Sequence, residues 1–320
     1  MLLSVAPFPL FIPNPEDLLR KESCLSATII DGKRIADEIK REVKEGADRL
    51  KAERGIVPGL AFILVGDNPA SYIYVRMKSK ACEEMGFYSI TIEMPESTSE
   101  QALLAKVGEF NRDPRIHGIL VQLPLPRQIS EEEVVEAIDP RKDVDGLHPM
   151  NVGKLVMGKP GFRPCTPVGV QELLLRSGND PAGKHVVILG RSNLVGRPLA
   201  NLLSQKQRGA NAVVTVCHTG AQDVSAYTRQ ADILVAAMGK AEIIRGDMIK
   251  PGAVVIDVGT NRVSDPSAKN GYRLVGDVHF ESASKVASAI TPVPGGVGPM
   301  TIAMLLRNTL EAAKSVVQAN

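Results

Sequence analysis

From Ala27 onward the chain alternates short unbroken apolar runs with longer segments whose apolar residues recur every three or four positions. Asp31 is placed to cap a helix reaching about Arg54, with Ile35, Ile39, Val43, Ala47 and Leu50 as its apolar stripe. GLAFILVG then predicts a buried strand, and a helix follows from about Ser71 to Met85, stopped by Gly86. SITIEM, a helix over EQALLAKVGEFN, GILVQLPLP and a helix over EEEVVEAI continue the series. Unbroken apolar strands between amphipathic helices predict βαβ units and a parallel sheet covered on both faces.

After DVDGLHPMNVGKL the stretch MGKPGFRPCTPVG is rich in Gly and Pro and marks a domain boundary, with VQELLLRSG as a connecting helix. A second series follows: HVVILG, a helix, AVVTVC, a helix, DILVAAMG, AVVIDVG and YRLVGDV. The chain closes with TPVPGGVGPMT, Thr291 to Thr301, and a long amphipathic helix free to return to the first lobe. Three prolines and three glycines in that stretch exclude a helix interior or a central strand. The expected fold class is α/β with two lobes. Residues 1–26 form an extension, 27–165 with 299–320 a parallel-sheet substrate lobe, and 166–298 a Rossmann-type nucleotide lobe.

Composition narrows the class. A length of 320 residues fits about two domains. A net charge of +2 offers no basic face for nucleic acid. No run approaches the ~20 apolar residues of a membrane span. Cys24, Cys82, Cys165 and Cys217 lack CxxC spacing and read as reduced thiols of a cytosolic protein. The five histidines form no HxxxH or HExxH pattern, so no metal site is expected. The first 26 residues, with Glu16, Asp17 and Glu22, fit neither a secretory signal nor a mitochondrial presequence and read as a poorly ordered extension.

VVILGRSNLVGRPLANLL reads as strand, glycine turn and helix, bracketed by Gly190 and Gly196. The middle glycine of G-x-G-x-x-G is missing, but the context suits a pyrophosphate held by backbone N–H groups at a helix start. The next strand ends in His218-Thr219, without the carboxylate that an NAD site places there. Arg191 in the turn is either a solvated turn residue or a partner for a 2′-phosphate. A cation without the acid favours NADP over NAD.

In PASYIYVRMKSKACEEMG the apolar members of the Ile73, Met77, Ala81, Met85 line are expected in the core. Tyr74 and Lys78 lie one helical turn apart. Periodicity favours a surface Lys78; the sharper reading is an amine beside an aromatic ring, serving as a base where its pKa is lowered. GILVQLPLP places Gln122 inside an apolar strand near its C-terminal end, where an amide needs a partner and open sheets bind ligands. Asp143 and Asp145 follow in a loop. They suit turn chemistry, an aminopyrimidine edge or a cation.

Together YIYVRMK, GILVQLPLP, KDVDGLHPMNVGKL, RPCTPVGV, GRSNLVGRP, VVIDVGTN, LVGDV and ITPVPGGVGPMT resemble, in order, the bifunctional methylenetetrahydrofolate dehydrogenase/methenyltetrahydrofolate cyclohydrolase family. The resemblance covers roughly Ala27 to the C-terminus. It implies oxidation of 5,10-methylenetetrahydrofolate with NADP, then hydrolysis to 10-formyltetrahydrofolate, by a cytoplasmic homodimer. It makes Lys78 the lysine that helps activate water, Gln122 its tuning partner, Tyr74 the ring stacked on the folate, and Asp145 the holder of the pterin amino edge. Leu123, Pro124, Gly295 and Gly296 would line the substrate. Gly190, Arg191, Ser192, Gly196, His218, Thr219 and Thr260 would line the cofactor. Met238 and Thr260 depart from common family residues near the nicotinamide pocket. Two rivals are a folate- or NADP-binding protein without catalysis and an unrelated NADP-dependent dehydrogenase of small acids. The second leaves VQLPLP and PVPGGVGPMT unexplained.

Overall fold

Seven consecutive buried residues, Gly59–Val65, form the middle strand of the first lobe. Such a run has no solvent face, so it must be covered on both sides. The computed structural model describes residues 27–268 and 271–318; the expected extension and Cys24 lie outside them. In chain order the first elements are β1 (Thr28–Ile29), α1 (Gly32–Arg54), β2 (Gly59–Val65), α2 (Pro69–Glu84) and β3 (Tyr88–Met94). Next come α3 (Glu100–Arg112), β4 (Gly118–Val121), α4 (Glu131–Ala137), α5 (Pro149–Val156) and α6 (Cys165–Arg176).

The first sheet is parallel in the order β3-β2-β4. The predicted cap of α1 is present: the Asp31 side chain accepts from Arg34 N–H, and Gly55 ends the helix at φ 70°. All five predicted stripe residues of α1 are buried.

The second lobe contains β5 (His185–Leu189), α7 (Gly196–Leu203), β6 (Val213–Cys217), α8 (Ser225–Thr228), β7 (Ile233–Ala236) and β8 (Val254–Asp257). A hairpin follows, β9 (Asn261–Ser264) with β10 (Tyr272–Val275), then α9 (Phe280–Ala283), β11 (Ala289–Ile290) and α10 (Val297–Gln318). The six-stranded sheet is parallel throughout, in the order β1-β11-β8-β7-β5-β6. Thr28 and Ile29 therefore supply an edge strand to the second lobe's sheet.

Helix α10 packs on α1 and α6, so the closing helix does return to the first lobe. Arg176 on α6 joins Glu42 of α1 at 2.8 and 2.9 Å and Glu172 at 2.9 Å, while Arg307 of α10 reaches Glu172 at 2.7 Å. These charges bind three helices that carry both lobes.

Four local expectations change. Residues 149–156, to which the sequence pattern assigns no element, form a helix, because His148 caps Met150 N–H and Pro149 occupies the first turn. YRLVGDV does not extend the parallel series; its first four residues pair antiparallel with Asn261–Ser264. Gln122 lies one residue beyond β4. The tail of TPVPGGVGPMT starts α10 at Val297, with Pro299 in its first turn, where a missing N–H costs nothing.

Candidate active site

Helix α2 begins where Asn68 accepts from the N–H groups of Ala70 and Ser71. Its buried face carries Ser71, Val75, Lys78 and Cys82. Ile73 and Met77, expected in the core, are 49% and 51% exposed. The reading of Lys78 as a surface residue fails with them: it is 9% exposed. Its long side chain runs inward, and Nζ donates to Gln122 Oε1 at 3.0 Å. The Gln122 amide is fixed at its other end, because Nε2 donates to the Leu123 carbonyl at 2.7 Å. With its nitrogen so committed, the amide can present only oxygen to the amine. Among the described residues no carboxylate forms a salt bridge with Lys78. The amine is thus oriented without an ion pair to hold its proton.

Tyr74, one turn earlier on α2, projects a 42% exposed ring. Leu123 is half-buried, Pro124 is exposed, and their peptide bond is cis. Asp145 sits half-buried in a loop held from both sides. Asp143 accepts from Leu147 and His148 N–H and from Asn151 Nδ2, at 3.1, 2.9 and 2.8 Å. Burial pushes the Asp143 carboxyl up to about 6 despite these donors. Gly146 adopts φ 72°, and a Cβ there would fall 2.5 Å from the Arg163 carbonyl carbon. Asn308 of α10 donates to the carbonyls of Val144 and Arg163. Cys165 donates to the Val144 carbonyl at 3.4 Å. Burial pushes its thiol well above the ordinary value; Asp145 adds to this by charge and hydrogen bond, and Lys78 opposes it. Lys78, Asp145 and Cys165 therefore share one locality.

Gly295 and Gly296 turn their carbonyls toward the start of α1. Lys33 N–H donates to the Gly295 carbonyl at 3.0 Å, and a Cβ on Gly32 would lie 1.9 Å from the Gly296 oxygen. The glycines bring backbone onto backbone, and the Val293–Pro294 bond before them is cis.

In the second lobe Gly190 takes φ 123°, and a Cβ on it would meet the Ala237 oxygen at 2.1 Å. A Cβ on Gly196 would meet the Gly190 oxygen at 2.1 Å. The two glycines close a tight crossing from β5 into α7. Between them Arg191 and Ser192 are exposed, and Ser192 Oγ accepts from Val195 N–H. At the end of β6, Thr219 is exposed, and His218 accepts from Gly220 N–H. This cradle fits a dinucleotide pyrophosphate, and the absent carboxylate fits a phosphorylated ribose.

The sequence model of the tetrahydrofolate dehydrogenase/cyclohydrolase catalytic domain matches residues 30–145, and that of the family's NAD(P)-binding domain matches 164–317. This chain belongs to the tetrahydrofolate dehydrogenase/cyclohydrolase family. Bifunctional protein FolD of Chlorobium limicola is 58% identical over 286 residues, covering 89% of this chain and 97% of that protein. A crystal structure of the bifunctional FolD enzyme from Campylobacter jejuni superposes with a TM-score of 0.85 at 50% identity, covering 91% of this chain and 99% of that one. The Trypanosoma brucei FolD structure, complexed with NADP cofactor and inhibitor, gives 0.86 at 44% identity, with the same coverage of both chains.

The family assignment gives the two-lobe arrangement its meaning, with a catalytic lobe ahead of an NAD(P)-binding lobe. Thr260, expected at the cofactor, is exposed between β8 and β9. Met238 is half-buried against the second lobe's core. Sequence reading missed the partners of the site. Cys165, Asn151 and Asn308 hold the Asp145 loop, and Asp257 and Asp277 lie under the loops after β7 and β8. Burial pushes Asp257 up to about 7, and Asp277 adds to that rise. The one visible signal was two Gly-flanked aspartates, DVG and GDV, each at the end of a strand-like run.

Proposed function

We infer that the chain oxidises 5,10-methylenetetrahydrofolate to the 5,10-methenyl form with NADP and hydrolyses that product to 10-formyltetrahydrofolate. The observation that carries the reading is the Lys78–Gln122 contact at 3.0 Å, inside a lobe joined to a glycine-turn nucleotide lobe. When bound, NADP supplies the hydride acceptor. Ser192 is assigned to the diphosphate on the turn between Gly190 and Gly196, with Arg191, His218 and Thr219 at the phosphorylated ribose and Thr260 farther along the rim.

The remaining steps belong to the first lobe. Tyr74 offers a ring face on which a flat pterin stacks. Asp145 accepts from the pterin's amino edge, and Leu123, Pro124, Gly295 and Gly296 border the same ligand. Lys78 takes a proton from water as it adds to the methenyl carbon. That role requires a neutral amine. Gln122 aims the amine without adding charge. The division into 27–165 with 299–320 and 166–298 belongs to this proposal, supported by the return of α10 to α1, with Thr28 and Ile29 as the exception because they pair with the second lobe's sheet. A homodimer, a cytoplasmic setting and a supply of formyl groups to purine biosynthesis rest on family likeness; sedimentation at twice the chain mass would test the first.

Purified chain with methylenetetrahydrofolate should generate reduced-nicotinamide absorbance with NADP and far less with NAD. Silence with both dinucleotides refutes the reading. A chain that binds folate and NADP without turnover would be the non-catalytic rival.

A further inference from the structure

Two buried carboxylates lie together at the C-terminal rim of the six-stranded sheet, and the proposed chemistry uses neither. Asp257 closes β8 and Asp277 follows β10. They are 3% and 0% exposed. Among the described residues neither forms a salt bridge, and their donors are backbone N–H groups and one side-chain amide. Asp257 accepts from Gly259 N–H at 2.9 Å, Asp277 N–H at 3.0 Å and Val278 N–H at 2.9 Å. Asp277 Oδ2 accepts from the N–H groups of Met238 and Gly239 at 2.5 and 2.9 Å. Its Oδ1 accepts from Lys240 N–H and Asn261 Nδ2, both at 2.9 Å. Gly276 and Gly259 make the space: a Cβ on the first would lie 1.8 Å from Asp257 Oδ2, and on the second 2.2 Å from Asp277 Oδ1.

Burying a carboxylate is costly unless donors replace water around it. The donors here come from separate segments. Asp277 gathers 238–240 after β7 and 261 after β8. Asp257 gathers 259 and 277–278, and its own N–H donates to Thr291 Oγ1 at 2.8 Å, where TPVPGG begins. Strand order says what these segments face. The glycine turn follows β5, which lies between β6 and β7, and β8 lies beyond β7. A dinucleotide crossing that turn with its adenosine ribose at the end of β6 extends its other half over the ends of β7 and β8. Those ends are the loops that Asp277 ties together.

We propose that Asp277, backed by Asp257, is a positioning residue for the redox half of the dinucleotide, holding residues 238–240 and 259–261 as a preformed rim. The inference rests on the NADP reading above. Preorganisation spares binding the work of ordering two loops. An amide cannot substitute. Asn at 277 would turn an NH2 group toward either Met238 and Gly239 N–H or Lys240 N–H and the Asn261 amide, donor against donor.

Full-length Asp277→Asn and Asn261→Ala are compared with the unaltered chain in three measurements. These are calorimetric titration with NADP, methylenetetrahydrofolate oxidation, and hydrolysis of methenyltetrahydrofolate without dinucleotide. Asp277→Asn is expected to weaken NADP binding and raise its KM about tenfold, the scale of a lost charge-assisted hydrogen bond. Asn261→Ala is expected to act in the same direction by about threefold, since a neutral donor is lost. Hydrolysis, which needs no dinucleotide, should stay within about twofold in both. Unchanged NADP affinity in both variants overturns the inference. So does a fall in hydrolysis in step with oxidation, which would mark general damage. If Asp277→Asn does not fold, Asn261→Ala decides by the same criteria. An unaltered chain that binds NADP but oxidises no folate refutes the proposed function, and the titration still decides this inference. One that binds no NADP refutes both.

Discussion

Lys78 Nζ and Gln122 Oε1 meet at 3.0 Å across 44 positions of sequence, and the partner of the amine is uncharged. That neutrality is testable. Gln122→Glu keeps the shape and adds a negative charge beside the amine. An adjacent opposite charge favours the protonated form by about 1–3 pKa units. The carboxylate at 122 would pair with the amine and hold the proton that a base must lack. Methenyltetrahydrofolate hydrolysis at pH 7 should fall at least about tenfold, and its pH–rate profile should move to the alkaline side. An unmoved profile would remove Lys78 from the role of base.

Arg191 lies exposed in the glycine turn, and the end of β6 offers no carboxylate to a ribose hydroxyl. If the guanidinium meets a 2′-phosphate, Arg191→Ser removes a charge-assisted contact that only NADP makes. The ratio of kcat/KM for NADP to that for NAD should then drop by about tenfold or more. A ratio that stays constant would return Arg191 to the status of a solvated turn residue.

Much of the fold was legible because the patterns were local. Asp31 caps α1 and Gly55 ends it, and β2, β4 and β7 announce themselves as unbroken apolar runs, whereas the two-residue parallel strands β1 and β11 do not. What escaped depends on distant residues. The inward face of α2 carries Ser71 and Lys78. Hydrophobicity alone therefore chose the Ile73–Met77 face, which points outward. The helix at 149–156 hides behind Pro149 and Gly153, yet its His148 cap and Asn151, bonded to Asp143, secure it. Lys78 and Gln122 were individually visible as candidates. Their contact requires α2 and the end of β4 to be neighbours, which no spacing states. The supports of Asp145 come from as far as Asn308, 164 positions from the Val144 carbonyl it holds.

Asn308 gives a direct measure of how the closing helix serves the first lobe. Its amide donates to the Val144 carbonyl at 2.8 Å and the Arg163 carbonyl at 3.2 Å. Asn308→Ala leaves the Arg163 carbonyl without this donor, and Val144 keeps only the weak Cys165 thiol. Urea unfolding should show a loss of about 1–3 kcal/mol. Asp145 sits between the two anchored stretches, so the KM for folate should rise as well. Full stability together with an unchanged folate KM would mean that the loop holds its shape without α10.

His117 predicts how one part of the first lobe responds to acid. It is 7% exposed, and its Nδ1 accepts from Gly59 N–H at 3.0 Å, so that nitrogen must be unprotonated. Burial lowers the imidazole pKa first, and the nearby Lys142 charge lowers it further. Lys142 is itself fixed, donating to the Phe110 and Asp113 carbonyls at the end of α3. With the folded pKa below the unfolded value of about 6.5, the contribution is complete above that value and is lost as pH falls through the folded one. The loss runs at up to about 1.4 kcal/mol per pH unit. Asp143 and Asp257 act in the opposite sense. Their raised pKa values, about 6 and about 7, mean that the folded state takes up protons more readily, which adds stability as pH falls toward 4. Comparison with His117→Asn cancels those terms, because Asn Oδ1 stands where Nδ1 does and accepts from Gly59 N–H without titrating. The stability of the unaltered chain relative to the variant should therefore decline between pH 7.5 and pH 5, measured by urea unfolding. An equal difference at both pH values would show that His117 carries no proton-linked share of the fold's stability.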